Sequence, residues 1–317
     1  MKLYVTRRMT ARAEAEISTK CDATFRDATH PLTVEEAAQS LRDYDAVMPT
    51  LGDPFGAAAF AGDGLRCTLL ANFGAGYNHI DTTAARAAGV TVTNTPEVVT
   101  DATADIAILL VLMACRRATE GERILRAGEW TGWHPTQLLG RHLGGMTVGI
   151  IGMGRIGKAI AQRCHDGFGM EVVFFNRSPV SSLDLPARQM PSLHEMLRAC
   201  DVAVVAVPGG GGTRHLIGAA ELAELGPRGY LVNIARGDVV DEAALIEALE
   251  RGTIAGAGLD VYEREPAVPQ RLRDAPNATL LPHLGTAAEE VRTGMALRAL
   301  DNIVAFKGGR RPPDMVN

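Results

Sequence analysis

The sequence has little that would suggest a disulfide-rich, metal-binding or nucleic-acid-binding protein. Its five cysteines in 317 residues are an odd number without C-x-x-C spacing, so neither a disulfide framework nor a zinc site is expected. Acidic residues, at 37, outnumber the 32 lysines and arginines, which disfavours binding to nucleic acid. No secretory signal is recognisable, and the most apolar run, 106–115, is too short to cross a bilayer. We therefore expect a cytoplasmic protein with small-molecule partners, no membrane association and no metal.

Short apolar runs alternate with helix-period segments, a pattern typical of α/β proteins. The length and a hydrophobic content of 46% allow two domains. In the first series a capping box at 33–36 opens a helix. Strands are predicted at 3–5, 46–48, 67–72 and 90–93 in this series, and at 148–151, 172–175, 202–207, 230–234, 255–259 and 279–281 in a second.

Two helical segments connect and close these series. Residues 101–127 predict one long, largely apolar helix, and a last helix is expected at about 287–306, returning to the first series. The sequence therefore predicts an α/β fold of two Rossmann-like domains with doubly wound parallel sheets. One domain is expected to be discontinuous, with residues 1–98 and 287–317, and the other, with residues 99–286, is expected to be inserted into it.

A glycine fingerprint of the form G-x-G-x-x-G opens the second series with Gly152, Gly154 and Gly157. It follows an apolar strand, and a helix that begins with Arg155 and Ile156 follows it. The N-terminal amides of such a helix are suited to bind a pyrophosphate. This context predicts a dinucleotide site. We therefore expect the inserted domain to be the dinucleotide-binding domain and the discontinuous domain to be the substrate-binding (catalytic) domain.

The strand after the fingerprint ends at Asn176, Arg177 and Ser178, where an NAD site places an acidic residue on the ribose hydroxyl. Asn176 has no charge that would repel a 2′-phosphate, and Arg177 and Ser178 are suited to bind one. A solvated Arg177 is the alternative. We expect NADP to be preferred, with NAD also usable.

Three polar side chains, Arg236, Glu265 and His283, follow apolar segments of the second series, where open α/β sheets bind their ligands. A guanidinium fork suits the carboxylate and oxo group of a 2-oxo acid, and an imidazolium can protonate the oxo group. A carboxylate bonded to the imidazole favours its charged form. A surface Arg and a structural His are the alternatives, but together the three predict an oxidoreductase.

Further motifs extend this pattern over nearly the whole chain: 45–47, 74–81, 128–135, 154–157 and the closing prolines 312–313. With them the chain resembles the D-isomer-specific 2-hydroxyacid dehydrogenases, and within these the glyoxylate and hydroxypyruvate reductases. The resemblance implies reduction of glyoxylate or hydroxypyruvate to glycolate or D-glycerate. It also implies that Arg236 binds and polarises the substrate, His283 is the general acid or base, and Glu265 orients it.

The resemblance implies roles for further residues as well. On the substrate side these are the backbone amides of Ala75 and Gly76, together with Leu51, Thr286 and, from the second subunit of a homodimer, Trp133. A Trp buried under the long helix is the alternative for Trp133. The implied cofactor-binding residues are Asp260 at the nicotinamide amide, Thr103 near the cofactor, and Pro208, Thr213, Ile234, Ala235 and Gly285.

Two segments depart from the family pattern. The family's usual Pro-Leu-Thr-Pro-x-Thr loop is replaced here by Pro208, four glycines at 209–212, and Thr213. The family's Gly-Ser-Ala-Thr after the histidine becomes Gly-Thr-Ala-Ala at 285–288, so one hydroxyl is lost. The alternatives to a glyoxylate or hydroxypyruvate reductase are a nicotinamide-sensing scaffold or corepressor of this fold, and a related dehydrogenase for 3-phosphoglycerate or formate.

Overall fold

The computed structural model describes all 317 residues, and contacts divide them into two compact units. The first unit combines Met1–Val99 with Thr286–Asn317, and the second is Thr100–Gly285. Neither unit contains a helix that is long and apolar enough to cross a membrane.

The first unit is built on a five-stranded parallel sheet in the order β2-β1-β3-β4-β5. Its strands are β1 (Lys2–Val5), β2 (Asp22–Phe25), β3 (Ala46–Met48), β4 (Leu69–Ala71) and β5 (Thr91–Thr93). Its helices are α1 (Ala11–Lys20), α2 (Val34–Asp43), α3 (Thr82–Ala87) and the last helix of the chain, α11 (Glu289–Lys307), with a 3-10 turn at Ala57–Phe60.

Both faces of this sheet are covered by helices. Leu3 packs with Ile17 of α1 and Ile303 of α11 on one face, and Val47 packs with Leu41 of α2 on the other. All five side chains are buried. The predicted capping box is confirmed, because Thr33 and Glu36 exchange side-chain and backbone hydrogen bonds at the start of α2.

The second unit is built on a seven-stranded parallel sheet in the order β12-β11-β10-β9-β6-β7-β8. Its strands are β6 (Thr147–Ile151), β7 (Glu171–Phe175), β8 (Ala187–Gln189), β9 (Val202–Val205), β10 (Tyr230–Asn233), β11 (Gly256–Leu259) and β12 (Ala278–Leu280). Its helices are α4 (Thr100–Cys115), α5 (Ala118–Arg126), α6 (Arg155–Phe168), α7 (Leu193–Arg198), α8 (Ala219–Leu225), α9 (Glu242–Arg251) and α10 (Gln270–Asp274), with a 3-10 turn at Gly237–Val239. The strand order reverses at β6, which pairs with β7 on one side and β9 on the other. In open α/β sheets this switch point is where ligands bind.

The predicted fold class, α/β with two parallel-sheet units, is confirmed. The prediction of one helix over 101–127 is wrong, because α4 ends at Cys115 and α5 begins only at Ala118. Arg117 between them has a left-handed φ of 55°. The Cys115 carbonyl accepts a hydrogen bond from the Arg141 amide at 2.8 Å. The apolar α4 has a buried side, whereas the charged α5 has no buried residue, so the break separates a core helix from a surface helix.

Candidate active site

Arg236 lies in a turn that begins where β10 ends. The buried Asn233 side chain closes this turn: its amide group donates to the Arg236 carbonyl at 2.9 Å and its oxygen accepts from the Ala235 amide at 3.0 Å. Gly237 follows, and a Cβ atom there would lie 1.8 Å from the carbonyl carbon of Tyr262. The turn therefore packs directly against the segment after β11, and only a glycine fits at this contact.

Glu265 lies at the end of that segment and is held in place by Tyr262. The Tyr262 amide donates to Glu265 Oε1 at 3.0 Å. The Tyr262 hydroxyl donates to the Leu281 carbonyl at 2.9 Å, which ties the segment to the chain after β12. Tyr262 is itself buried, so the position of Glu265 is fixed by the core.

His283 follows β12 in an unusual backbone conformation, with a φ of 54°. A positive φ is uncommon for a residue other than glycine and is found at functional sites more often than elsewhere. Asp260 stabilises it, because its carbonyl accepts from the His283 amide at 2.9 Å and its carboxylate accepts from the amides of Leu284 and Gly285 at 2.6 and 2.8 Å. Burial raises the pKa of Asp260 above its ordinary value, although these two donors lower it.

His283 and Glu265 form a hydrogen-bonded pair, with 2.8 Å between Nδ1 and Oε2. Burial alone would raise the pKa of Glu265, but the hydrogen bond and charge of His283, the Tyr262 amide and the charge of Arg236 together lower it. Glu265 is therefore a carboxylate at neutral pH and accepts the Nδ1 proton. This fixes the ring and directs Nε2 away from Glu265, so Nε2 is the nitrogen suited to proton transfer.

Arg236 completes the charged cluster. Burial lowers the pKa of its guanidinium, which the charges of Glu265 and Asp238 partly restore, and a guanidinium stays protonated under all ordinary conditions. Its Nη1 donates to the Ala235 carbonyl at 2.7 Å. The structure thus brings the three predicted side chains together: a cation that can bind an anionic substrate, an imidazole that can donate a proton, and a carboxylate that stabilises the imidazolium.

The glycine fingerprint follows β6 at the switch point of the same sheet. Gly152 has a φ of 99°, and a Cβ atom on Gly157 would lie 2.1 Å from the Gly152 carbonyl oxygen, so both positions are closely packed. Gly154, in contrast, faces open space with no atom within 4 Å of an added Cβ. The 14-residue helix α6 begins directly after it, and its first amides have no acceptor within the helix. This loop therefore fits the pyrophosphate of a dinucleotide.

The residues predicted to choose between NAD and NADP lie beside this loop. Asn176 accepts a hydrogen bond from the Met153 amide at 3.3 Å and donates to the Ser178 carbonyl at 2.8 Å. Arg177 and Ser178 are exposed, and the Arg177 side chain has no hydrogen-bond or ion-pair partner within the chain. A neutral amide and a free guanidinium thus lie where β7 ends.

The remaining predicted cofactor residues lie near the carboxyl ends of the strands or in the first turns of α4 and α6. The Thr103 hydroxyl donates to the Gly285 carbonyl at 3.2 Å, and the Thr213 hydroxyl donates to the Pro208 carbonyl at 2.7 Å. The others are the buried Ile234 and Ala235 after β10, and the exposed Arg155 and half-buried Ile156 at the start of α6.

In the first unit, a loop after β4 contains the predicted substrate-binding amides. The buried Asn72 donates to the carbonyls of Gly74 and Gly76 at 2.9 and 3.1 Å, and Asn94 donates to the carbonyl of Ala75 at 2.8 Å. All three backbone carbonyls therefore accept hydrogen bonds from side-chain amide groups, while the backbone N–H groups of Ala75 and Gly76 have no acceptor within the chain. Unpaired amides of this kind suit a carboxylate.

Three other predicted substrate residues are accessible. Leu51 is 38% exposed after β3, and Thr286 is half-buried where the chain returns to the first unit. Trp133 is 79% exposed and is not buried under α4.

The sequence did not indicate the residues that support this site. Asn233 and Tyr262 hold Arg236 and Glu265 in place, yet neither has a titratable group that works at neutral pH. A signal is present in retrospect, because an Asn in a strand otherwise composed of apolar residues must satisfy its amide locally. A third residue that supports the site lies in the glycine run at 209–212. It is Gly209, because a Cβ atom there would lie 2.7 Å from Cγ of Arg236.

Comparison with known families and proteins agrees with this geometry. The family model for the D-isomer specific 2-hydroxyacid dehydrogenase, NAD binding domain, matches residues 108–285. The glyoxylate reductase of Thermococcus gammatolerans is 43% identical over 89% of this chain and 86% of its own. The glyoxylate reductase of Pyrococcus furiosus is 38% identical over 100% of this chain and 95% of its own.

A solved structure shows the same similarity. The NADPH-dependent glyoxylate/hydroxypyruvate reductase of Sinorhizobium meliloti, in complex with NADP and malonate, is 35% identical, with a TM-score of 0.87 over 99% of this chain and 96% of its own. The match covers both units, and the family predicted from the sequence motifs is confirmed. The chain belongs to the D-isomer-specific 2-hydroxyacid dehydrogenase family.

Proposed function

We propose that the protein reduces a small 2-oxo acid, glyoxylate or hydroxypyruvate, with a nicotinamide dinucleotide, giving glycolate or D-glycerate. The observation that carries this proposal is the hydrogen bond of 2.8 Å between His283 and Glu265, together with the charge of Arg236, which acts on Glu265. All three residues follow strands of the sheet that also carries the glycine fingerprint. The names of the relatives, glyoxylate reductases, support the choice of substrate.

Each of the three side chains has one task. Arg236 binds the substrate through its guanidinium fork and polarises the oxo group. A reduced dinucleotide held at the glycine fingerprint would supply the hydride for the oxo carbon. His283 donates the Nε2 proton to the oxo oxygen, which becomes the hydroxyl group of the product. Glu265 keeps the imidazole oriented and stabilises its charged form before the transfer.

In the first unit we assign the substrate carboxylate to the amides of Ala75 and Gly76, with Leu51 and Thr286 as further substrate contacts. The assignment is supported by the loop's hydrogen bonds, since its carbonyls are occupied and its amides are not. Amides fixed in this way bind an anion without further ordering of the backbone.

The side chains that follow β7 favour NADPH over NADH. Asn176 places no negative charge near a 2′-phosphate, and the exposed, unpaired Arg177 is available to bind one, with the Ser178 hydroxyl beside it. The cofactor residues assigned from the resemblance, including Asp260 at the nicotinamide amide, complete this proposed site. Asp260 has capacity for one more bond, because a carboxylate accepts about four and only two amides donate to it here.

We further propose that the working form is a homodimer in which Trp133 reaches the partner's substrate site. The segment after α4 exposes several large apolar side chains, an arrangement that marks an interaction surface. These are Leu125, Trp130, Trp133 and Leu139, which are 60%, 52%, 79% and 65% exposed. Light scattering on the purified protein would measure the mass, and a monomer would overturn this proposal.

Initial rates test the proposed reaction directly. Glyoxylate, hydroxypyruvate, pyruvate and phenylpyruvate should be compared with NADPH and with NADH. The His283→Ala variant should lose a factor of about 10² to 10⁴ in rate while its affinity for NADPH stays nearly unchanged. His215→Ala is the matched control, because His215 also pairs with a glutamate, Glu263 at 3.1 Å, outside the proposed site. Full turnover by His283→Ala, or none by the wild type, would contradict the proposal.

A further inference from the structure

The first residue of the glycine run contacts the side chain of Arg236. An ideal Cβ atom at Gly209 would lie 2.7 Å from Cγ and 3.2 Å from Cβ of Arg236. Carbon atoms that are not bonded pack at about 3.5–4.0 Å, so the first of these distances is a clash. The aliphatic part of Arg236 thus occupies the space that a side chain at position 209 would need.

The other three glycines of the run differ from Gly209 in this respect. A Cβ atom at Gly210, Gly211 or Gly212 would meet no atom within 4 Å. Gly211 and Gly212 are exposed and do not have a positive φ, so an alanine fits at either position. Only one glycine of the four is therefore required by its contacts.

The contact lies at the base of a long side chain. The backbone of Arg236 is fixed by Asn233 on one side and by the packing of Gly237 on the other, so the turn cannot easily move away from a new side chain. The strain must then be relieved by rotation of the Arg236 side chain. A rotation about the Cα–Cβ bond that moves Cγ displaces the guanidinium by more than it displaces Cγ, because the guanidinium lies two bonds further along the side chain.

We propose that Gly209 is a positioning residue for the reaction in this chain: where the usual family loop has leucine, the backbone here lies so close to Arg236 that only the missing side chain lets Arg236 lie where its guanidinium binds the 2-oxo acid. This inference rests on the proposed function, since it requires Arg236 to contact the substrate. Small displacements of a substrate-binding group are costly, and about 1 Å can reduce the rate by about 10²-fold. Gly209→Ala should therefore lower kcat/KM at least about tenfold, mainly by raising KM for glyoxylate, with NADPH affinity unchanged.

A double-mutant cycle tests whether the effect acts through Arg236. Gly209→Ala and the matched control Gly211→Ala are each made in the wild type and in Arg236→Ala, and kcat/KM for glyoxylate is measured for all of them. In Arg236→Ala the Cγ atom is gone, so Gly209→Ala should cause no further loss. Gly211→Ala should match its parent in both backgrounds. Fluorescence titration with NADPH provides the second measurement.

Each result has a distinct meaning. Equal kinetics of Gly209→Ala and Gly211→Ala, an undiminished loss in the Arg236→Ala background, or a parallel loss of NADPH affinity would each overturn this inference and leave the proposed function intact. A wild type without turnover would overturn both. If Gly209→Ala alone does not fold, the double variant with Arg236→Ala must fold for the inference to stand, since the clashing atom has been removed.

Discussion

Replacing Glu265 by glutamine removes the negative charge beside Nδ1 of His283 and leaves the shape of the side chain nearly unchanged. In the wild type the pKa of Glu265 is lowered by the bond and charge of His283 against the effect of burial, so Glu265 is a carboxylate at neutral pH. Proton donation to the substrate needs the imidazolium, and a carboxylate bonded to Nδ1 stabilises it. Without the carboxylate this stabilisation is lost, so kcat/KM for the reduction should fall.

The size of the loss follows from the geometry of the pair. A hydrogen bond to a charged group contributes about 1.5–3 kcal/mol when it is well formed. The two side chains are 28% and 30% exposed, so water screens part of this contribution. We therefore take a value near the lower limit, about 1.4 kcal/mol, which corresponds to about a tenfold loss of kcat/KM.

The assay is kcat/KM for glyoxylate at saturating NADPH, measured from about pH 5 to about pH 9, because this ratio reports the ionisation of the enzyme before substrate binds. Glu263→Gln is the matched control, since Glu263 pairs with His215 and not with His283. Its profile should superimpose on that of the wild type. A wild-type kcat/KM in Glu265→Gln across this range would show that the carboxylate does not stabilise the catalytic proton, and the assigned pairing would be wrong.

Three further substitutions probe other parts of the site. Arg236→Lys keeps the charge but not the fork, so kcat/KM should fall at least about tenfold in steady-state assays, and unchanged kinetics would remove Arg236 from the substrate site. Asn94→Ala frees the Ala75 carbonyl, so KM for glyoxylate should rise about fivefold with little change in kcat, and an unchanged KM would exclude this loop from substrate binding. Gly237→Ala places a Cβ atom 1.8 Å from the carbonyl carbon of Tyr262, so urea unfolding should show a loss of at least about 3 kcal/mol, and wild-type stability would refute this packing.

The fold could be predicted from the sequence where strands are buried on both faces. The central strands β6, β9 and β10 are continuous apolar runs, which is the pattern of a parallel sheet covered by helices. Two of the four edge strands, β2 and β8, were missed, because neither contains a buried residue and neither therefore needs an apolar run. The break at Arg117 was missed for a related reason, since it depends on a hydrogen bond from Arg141.

The charged residues of the site could also be predicted, because their chemistry is visible in the residue type and their places follow strand ends. The residues that hold these charged side chains in place could not be predicted. Asn233 and Tyr262 act through hydrogen bonds to backbone groups whose positions are known only in the folded chain. The glycine run is the clearest case. The sequence alone does not distinguish the four positions, whereas the structure shows one residue packed against Arg236 and three that face open space.

The choice of cofactor depends on three side chains at the end of β7, and a paired substitution tests it. Asn176→Asp together with Arg177→Ala adds an acceptor for the ribose hydroxyl that repels a 2′-phosphate, and it removes the cation that would bind one. NADPH affinity should fall and NADH affinity should rise, reversing the preference. If Arg177 instead stacks on the adenine ring, both affinities would fall together. Fluorescence titration of the two reduced cofactors into the wild type and the double variant distinguishes these results, and tighter binding of NADH by the wild type would refute the NADPH assignment.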